Sequence, residues 1–169
     1  MKLLDAIAYG SLLAGLISAP FFLFSCIPYL ASKNSSPVSR LASVSFVVFV
    51  VSIVVCLLAS ATGVSIARYE VIDRLREVGD NCETSINGKP VQSPKEILSV
   101  LRSFRVFPAH HSSPTHAMNI NIRDGSEQLI LRLARDSGDP KEYWVFLPKY
   151  SITSSSEIGR IKTSAFDSY

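Results

Sequence analysis

The chain has 169 residues, of which 47% are hydrophobic and 18% charged, and a formal net charge of +3. Its apolar residues crowd into the first 67 positions, so the averages describe two regions suited to different solvents. Beyond Ala67 there are 14 Lys and Arg against 13 Asp and Glu, interleaved rather than clustered, which excludes the one-faced basic footprint of a nucleic-acid binder.

Two long apolar stretches, Leu3 to Ala31 and Leu41 to Ala67, flank the polar link Ser32 to Arg40. Each exceeds the roughly 20 apolar residues that carry a helix across a hydrocarbon core of about 30 Å. In lipid the backbone must satisfy its own hydrogen bonds, as a helix does. The sequence therefore predicts a transmembrane helical hairpin over residues 1–67, with helices of about 3–31 and 41–67. A cleaved leader is disfavoured, because Asp5 sits where a basic segment belongs, Pro20 follows the small residues Ser18 and Ala19, and the apolar run continues to Leu30.

Small residues recur every fourth position in the first stretch, at Ala6, Gly10, Ala14 and Ser18, with Ser11, Gly15 and Ala19 beside them. Ser45, Ser52, Cys56, Ser60 and Gly63 answer in the second. Lipid supplies no hydrophobic force between helices, so close approach along small residues is the expected packing, with Gly10, Ala14, Ser18, Ser52, Cys56 and Gly63 at the seam. Phe21, Phe22, Phe24, Phe46, Phe49 and the run Val47 to Val55 then face lipid or a partner. Tyr9 and Tyr29 suit the membrane interface. The centre of neither stretch holds an ionisable residue, so the hairpin reads as an anchor rather than an ion path.

Both termini lie on one side of the bilayer. Lys33 and Arg40 in the short link weigh against Lys2, Arg68, Arg74 and Arg76 outside it. The short loop is given precedence, which places the C-terminal domain outside the cytoplasm.

From Arg68 the spacing of Tyr69, Ile72 and Leu75 predicts a helical stalk over 68–79, supported by Glu70 and Arg74 at i,i+4 and ended by Gly79. Residues 80–169 then read as a small α+β domain. Cys82 to Ile86 is a short strand before the Asn87-Gly88 turn. Ser93, Pro94 and Glu96 form a capping box ahead of a helix to about Arg105 whose apolar face is Ile97, Leu98, Leu101 and Phe104. Alternation on either side of Asp124-Gly125 predicts a strand hairpin, Asp136 to Pro140 a turn, and Tyr143 to Leu147 a buried strand ended by Pro148. A last short strand falls near Arg160 to Thr163. The expected architecture is one main helix packed on an antiparallel sheet of three or four strands.

Three constellations invite chemistry. His110, His111 and His116 stand within seven positions of one loop and could bind zinc or copper or titrate together, although adjacent histidines seldom face one metal and Pro114 restricts the loop. Ser112 or Ser137, a histidine, and Asp136 or Asp139 supply the residue types of a hydrolase triad, but no nucleophile-elbow pattern surrounds either serine. Arg135, Asp136, Asp139, Tyr143 and Trp144 form the densest mix of charge and aromatics, which reads either as a solvated turn or as a protein-binding edge. Cys82 lies between acidic neighbours that oppose a thiolate.

The segments Ile86 to Val91 and Glu142 to Phe146 resemble parts of bacterial membrane-protein domains without assigned activity, which implies the bacterial inner membrane. The function expected is a membrane-anchored, non-enzymatic interaction module without cofactor. An accessory subunit of a membrane complex and an immunity-type inhibitor both fit, with the lipid bilayer and another membrane-proximal protein as partners. A histidine-based metal or pH sensor and a membrane-bound hydrolase are the alternatives.

Overall fold

The computed structural model describes residues 2–31, 40–106 and 111–169, with the side chains of all but 2, 25–31 and 40–42. The chain forms two compact units, residues 1–63 and 64–169. The first consists of two helices packed together, α1 (Lys2–Ala31) and the N-terminal part of α2 (Arg40–Glu77). Both are long and apolar enough to cross a membrane.

The seam between these helices repeats every seven residues. Ala8, Gly15 and Ser18 are buried on α1; Ser45, Ser52, Ala59 and Gly63 are buried on α2. A seven-residue repeat keeps one stripe of a helix facing its neighbour when the pair coils left-handed. Gly15 lets the backbones close in, because a Cβ built on it would lie 3.4 Å from Ser52 Cβ. The Phe22 and Phe46 rings meet with centroids 5.2 Å apart. Two of the seam hydroxyls bond within their own helices: Ser18 donates to the Gly15 carbonyl at 3.0 Å and Ser52 to that of Val48 at 2.7 Å.

The seam differs from the expected stripe. Gly10 and Ala14 are exposed, and nothing lies within 4 Å of a Cβ placed on Gly10. Cys56 is half-buried beside the seam, and Phe22 and Phe49, expected to face outward, are half-buried as well. The rotation of an all-apolar helix about its axis has no contrast between faces to set it, so the fit to the partner helix decides.

In the second unit the end of α2 and α3 (Pro94–Arg102) share a core with an antiparallel sheet. The sheet comprises β1 (Glu83–Ile86), β2 (Lys89–Pro90), β3 (Pro114–Asp124), β4 (Glu127–Asp136), β5 (Glu142–Phe146) and β6 (Gly159–Lys162), in the order β2-β1-β3-β4-β5-β6. It has six strands, against the three or four expected. The Asn87-Gly88 turn, with φ of +52° and +80°, returns the chain as β2. β1 pairs with β3 across the intervening α3, a non-local contact that local patterning does not announce.

Ala67, Val71 and Leu75, at helical spacing on α2, are buried, as are Ile97, Leu98 and Leu101 of α3. The sheet face that shares their core carries Ile86, Ile120, Ile122, Leu131, Leu133 and Val145, each 1% exposed or less. Burying an aliphatic side chain of this kind stabilises the fold by about 1.5–3 kcal/mol. Polar contacts fasten the rim: Arg68 donates to the Ile158 carbonyl at 2.7 Å, Arg102 to those of Leu75 and Val78, and Arg74 pairs with Glu127. Residues 68–77 are thus packed against this unit. Ser93 precedes α3 without a side-chain capping bond; its carbonyl accepts the N–H groups of Glu96 and Ile97 instead.

Candidate functional site

The charged and aromatic residues singled out in the sequence converge where β4 turns into β5. Asp136 ends β4 and is 3% exposed. Its Oδ1 accepts the backbone N–H of Gly138 at 2.6 Å and of Asp139 at 2.9 Å, the local bond by which an aspartate folds its own turn. Its Oδ2 accepts the Trp144 indole N–H at 2.6 Å and the Ser112 hydroxyl at 2.5 Å. Burial alone would raise the carboxyl pKa. The bonds from Ser112, Trp144 and the Asp139 and Gly138 amides outweigh it and hold Asp136 ionised well below the usual carboxylate range.

Around this carboxylate the turn is stitched to the entry of β3. Ser113 and Ser137 exchange bonds, through Ser137 N–H to the Ser113 carbonyl at 2.9 Å and Ser113 N–H to Ser137 Oγ at 3.0 Å. Asp139 accepts the Lys141 amide and faces Lys162 Nζ at 2.5 Å. These two bonds lower its pKa, and Asp139 correspondingly raises that of Lys162.

β5 alternates its side chains between the two sheet faces, so Tyr143 and Trp144 separate. Tyr143 is fully buried, with the Phe166 ring edge-on at 5.2 Å, and its hydroxyl accepts from Arg135 at 2.6 Å. Burial pushes the phenol pKa up, against the pull of the Arg135 guanidinium. Arg135 also pairs with Asp167 at 2.8 Å. Trp144, half-buried on the opposite face, lies beneath the Arg160 guanidinium, 4.0 Å from the ring centroid.

Arg160 is the residue the sequence reading missed. It is 2% exposed and pairs with Glu142 and Glu157, each at 2.8 Å. Burial works against its charge, but the two carboxylates prevail and raise its pKa further. The signal available in the sequence was a lone arginine in an Ile-Gly-Arg-Ile strand facing a strand that begins Glu142-Tyr143-Trp144. It became informative only once β5 and β6 were paired in register, with Trp144 opposite Arg160.

No protein-family model, curated protein or solved structure matches this chain.

His111 and His116 are exposed, the latter within β3, and His110 lies outside the described residues. Among the described residues no group of three His, Cys, Asp or Glu side chains is arranged to hold a metal ion. Ser112 and Asp136 of the hydrolase reading do meet, but the serine hydroxyl donates directly to the carboxylate. A carboxylate stabilised by four donors is a weak general base at neutral pH, since efficient bases have pKa values near the working pH. The arrangement is chemically suited to locking a turn and a tryptophan in place. Cys82 is 5% exposed, with its Sγ 3.6 Å from Thr84 Oγ1.

Proposed function

We propose that this chain is a membrane-anchored, non-enzymatic protein-interaction module, with the two-helix unit in a bilayer and the α+β unit engaging another protein beside it. The observation that carries this reading is the outward surface of the hairpin. Leu13, Leu16, Ile17, Phe24, Leu57 and Leu58 are 58–72% exposed, on the sides of the two helices that face away from the small-residue seam. Exposed apolar surface of that extent is disfavoured in water and natural in lipid. The binding role is supported by the way the reactive residue types of the second unit are engaged with one another. Asp136, Arg160, Tyr143 and Trp144 hold the scaffold together, in keeping with recognition rather than turnover. An accessory subunit of a membrane complex and an immunity-type inhibitor are the two forms this takes, in the bacterial inner membrane with the domain extracytoplasmic.

Alkaline carbonate extraction of membranes from cells expressing the full chain tests the anchor; recovery in the soluble fraction would refute it. Affinity purification in mild detergent, with identification of what accompanies the chain, tests the binding role. Val51→Trp on the outward face of α2 should abolish that association for a membrane subunit and leave it intact for an inhibitor that binds through the domain. Topology is read by thiol labelling at Ser126→Cys, an exposed turn position, since buried Cys82 would label poorly from either side.

A further inference from the structure

We propose that the partner binds by adding an extended, basic segment to the open half-edge of β4, Glu127–Leu131. This rests on the interaction reading above and specifies where and how it works.

β4 has ten residues and β5 only five, so their ladder covers Arg132 to Arg135 and stops. Beyond Phe146 the chain turns away: the Leu147 N–H goes to the Thr153 carbonyl at 3.2 Å, and Pro148 has no N–H to continue the pairing. The register tells which backbone groups are left. Asn87 N–H donates to the Asn119 carbonyl, so Asn119, and with it Asn121 and Arg123, turn their backbone toward β1. Alternate residues of an antiparallel strand bond to opposite neighbours. Ile120, Ile122 and Asp124 therefore bond to Leu131, Leu129 and Glu127, which leaves the N–H and C=O of Gln128 and Ile130 pointing to the side β5 has vacated. Among the described residues no backbone group meets them there.

The surroundings favour a strand of a particular chemistry. A hollow of about 310 Å³ beside this edge has an apolar floor of Leu129, Ile130, Leu147 and Pro148, which suits every second side chain of an added strand. A second hollow of about 300 Å³ shares Arg74, Gln128 and Leu129 with it and reaches the Asp124–Glu127 turn. The two contain four carboxylates against two cations; with Glu70 paired to Lys149 and Glu127 to Arg74, Glu77 and Asp124 are the excess, and this net negative charge favours an added strand that carries Lys or Arg.

The nominal ends of the sheet are treated differently. β2 is two residues long and includes Pro90, and the outer edge of β6 is closed by Arg105, which exchanges both backbone bonds with Arg160. Proteins blunt strand edges that must not pair. The half-edge of β4 is instead left with exposed Gln128 and Ile130.

The test uses the full chain in detergent micelles and the synthetic peptide Lys-Val-Lys-Val-Lys-Val-Lys, with amide hydrogen exchange read by NMR. The free chain should exchange rapidly at Gln128 and Ile130, and the peptide should slow both by about tenfold or more. Its Glu-for-Lys counterpart should not, nor should the same basic peptide N-methylated at alternate residues, which keeps the charges and removes the backbone donors. Equal binding of the N-methylated peptide, or protection at residues away from β4, overturns the proposal. So does slow exchange at both amides in the free chain accompanied by dimerisation, which would assign the edge to a second copy. Photo-crosslinking in cells separates the two levels of inference: adducts from a crosslinker at Arg123 but none from one at Gln128 refute the β4 edge alone, and adducts from neither refute the interaction reading as well.

Discussion

Trp144 donates its indole N–H to Asp136 over 2.6 Å and so ties together the two ends of the β4–β5 turn. Asp136→Asn preserves the shape but replaces an ionised acceptor of four donors with a neutral amide, half of which is itself a donor. Hydrogen bonds to a charged group contribute about 1.5–3 kcal/mol each, and partial rearrangement recovers some of that. The expected loss is about 2–3 kcal/mol. Urea unfolding of the full chain in mild detergent, followed by the fluorescence of its single tryptophan, measures it.

The same carboxylate should give stability a dependence on acid. Its folded pKa lies below the ordinary value of 3.8, so its contribution is fully present above that pH and drains away as pH falls through the folded value. The unfolding midpoint is expected to fall steadily as pH is lowered below about 4, more steeply in the wild type than in Asp136→Asn. Parallel curves for the two proteins would show that Asp136 does not carry the effect.

Arg160 faces two carboxylates and a tryptophan at 2% exposure. Arg160→Met removes the cation that balances Glu142 inside the sheet, and breaking a buried pair from one side costs about 3–5 kcal/mol. Adding Glu142→Leu should recover part of the loss, because replacing both members of a buried pair is far less costly than removing one. Equal stability of the single and double variants would assign the cost to lost packing on Trp144.

Gly159 is held to glycine by contact rather than by backbone angle. A Cβ there would lie 2.5 Å from Phe104 Cε2 and 2.7 Å from the Arg105 carbonyl oxygen. Gly159→Ala should cost about 1–3 kcal/mol. Adding Phe104→Leu should not restore stability, since the carbonyl, fixed by its bridge to Arg160, remains in the way.

In the hairpin, Gly15 and Ser52 are close enough for a disulfide, with 3.4 Å between their Cβ positions. With the native cysteines replaced by serine, Gly15→Cys/Ser52→Cys should cross-link under mild oxidation, seen as a mobility change in non-reducing gels. Gly10→Cys/Ser52→Cys should not. Efficient bonding of the second pair would restore Gly10 to the seam.

Much of the fold is legible from local pattern. The Asn87-Gly88 and Asp124-Gly125 turns announce their hairpins because few residues adopt positive φ, and Pro148 announces the end of β5. The ten-against-five mismatch between β4 and β5, and with it the open edge, follows from those punctuation marks. The site was less legible. Arg135, Asp136, Tyr143 and Trp144 stood out by type, yet alternation along β5 sends the two aromatics to opposite faces, and Asp136 binds inward to Trp144 rather than outward. Arg160 was invisible because an arginine in a short strand is usually solvated, and the carboxylates that bury it come from positions 142 and 157.

The sequence by itself determined which segments are too apolar for water, where the chain must turn, and which strand positions alternate, because these depend on side-chain transfer energies and φ preferences of residues near one another. Only the tertiary structure decided which side of each hairpin helix faces the other. Ala6, Gly10 and Ala14 offer a stripe as small as Ala8, Ser11, Gly15 and Ser18, and it is the second that is packed, with Gly15 against Ser52. It alone also decided that β1 joins β3, that Arg160 is an interior charge, and that no backbone group among the described residues meets those of Gln128 and Ile130 on the β5 side. Each of these depends on which distant segment arrives alongside, a matter of register and packing that no local window contains.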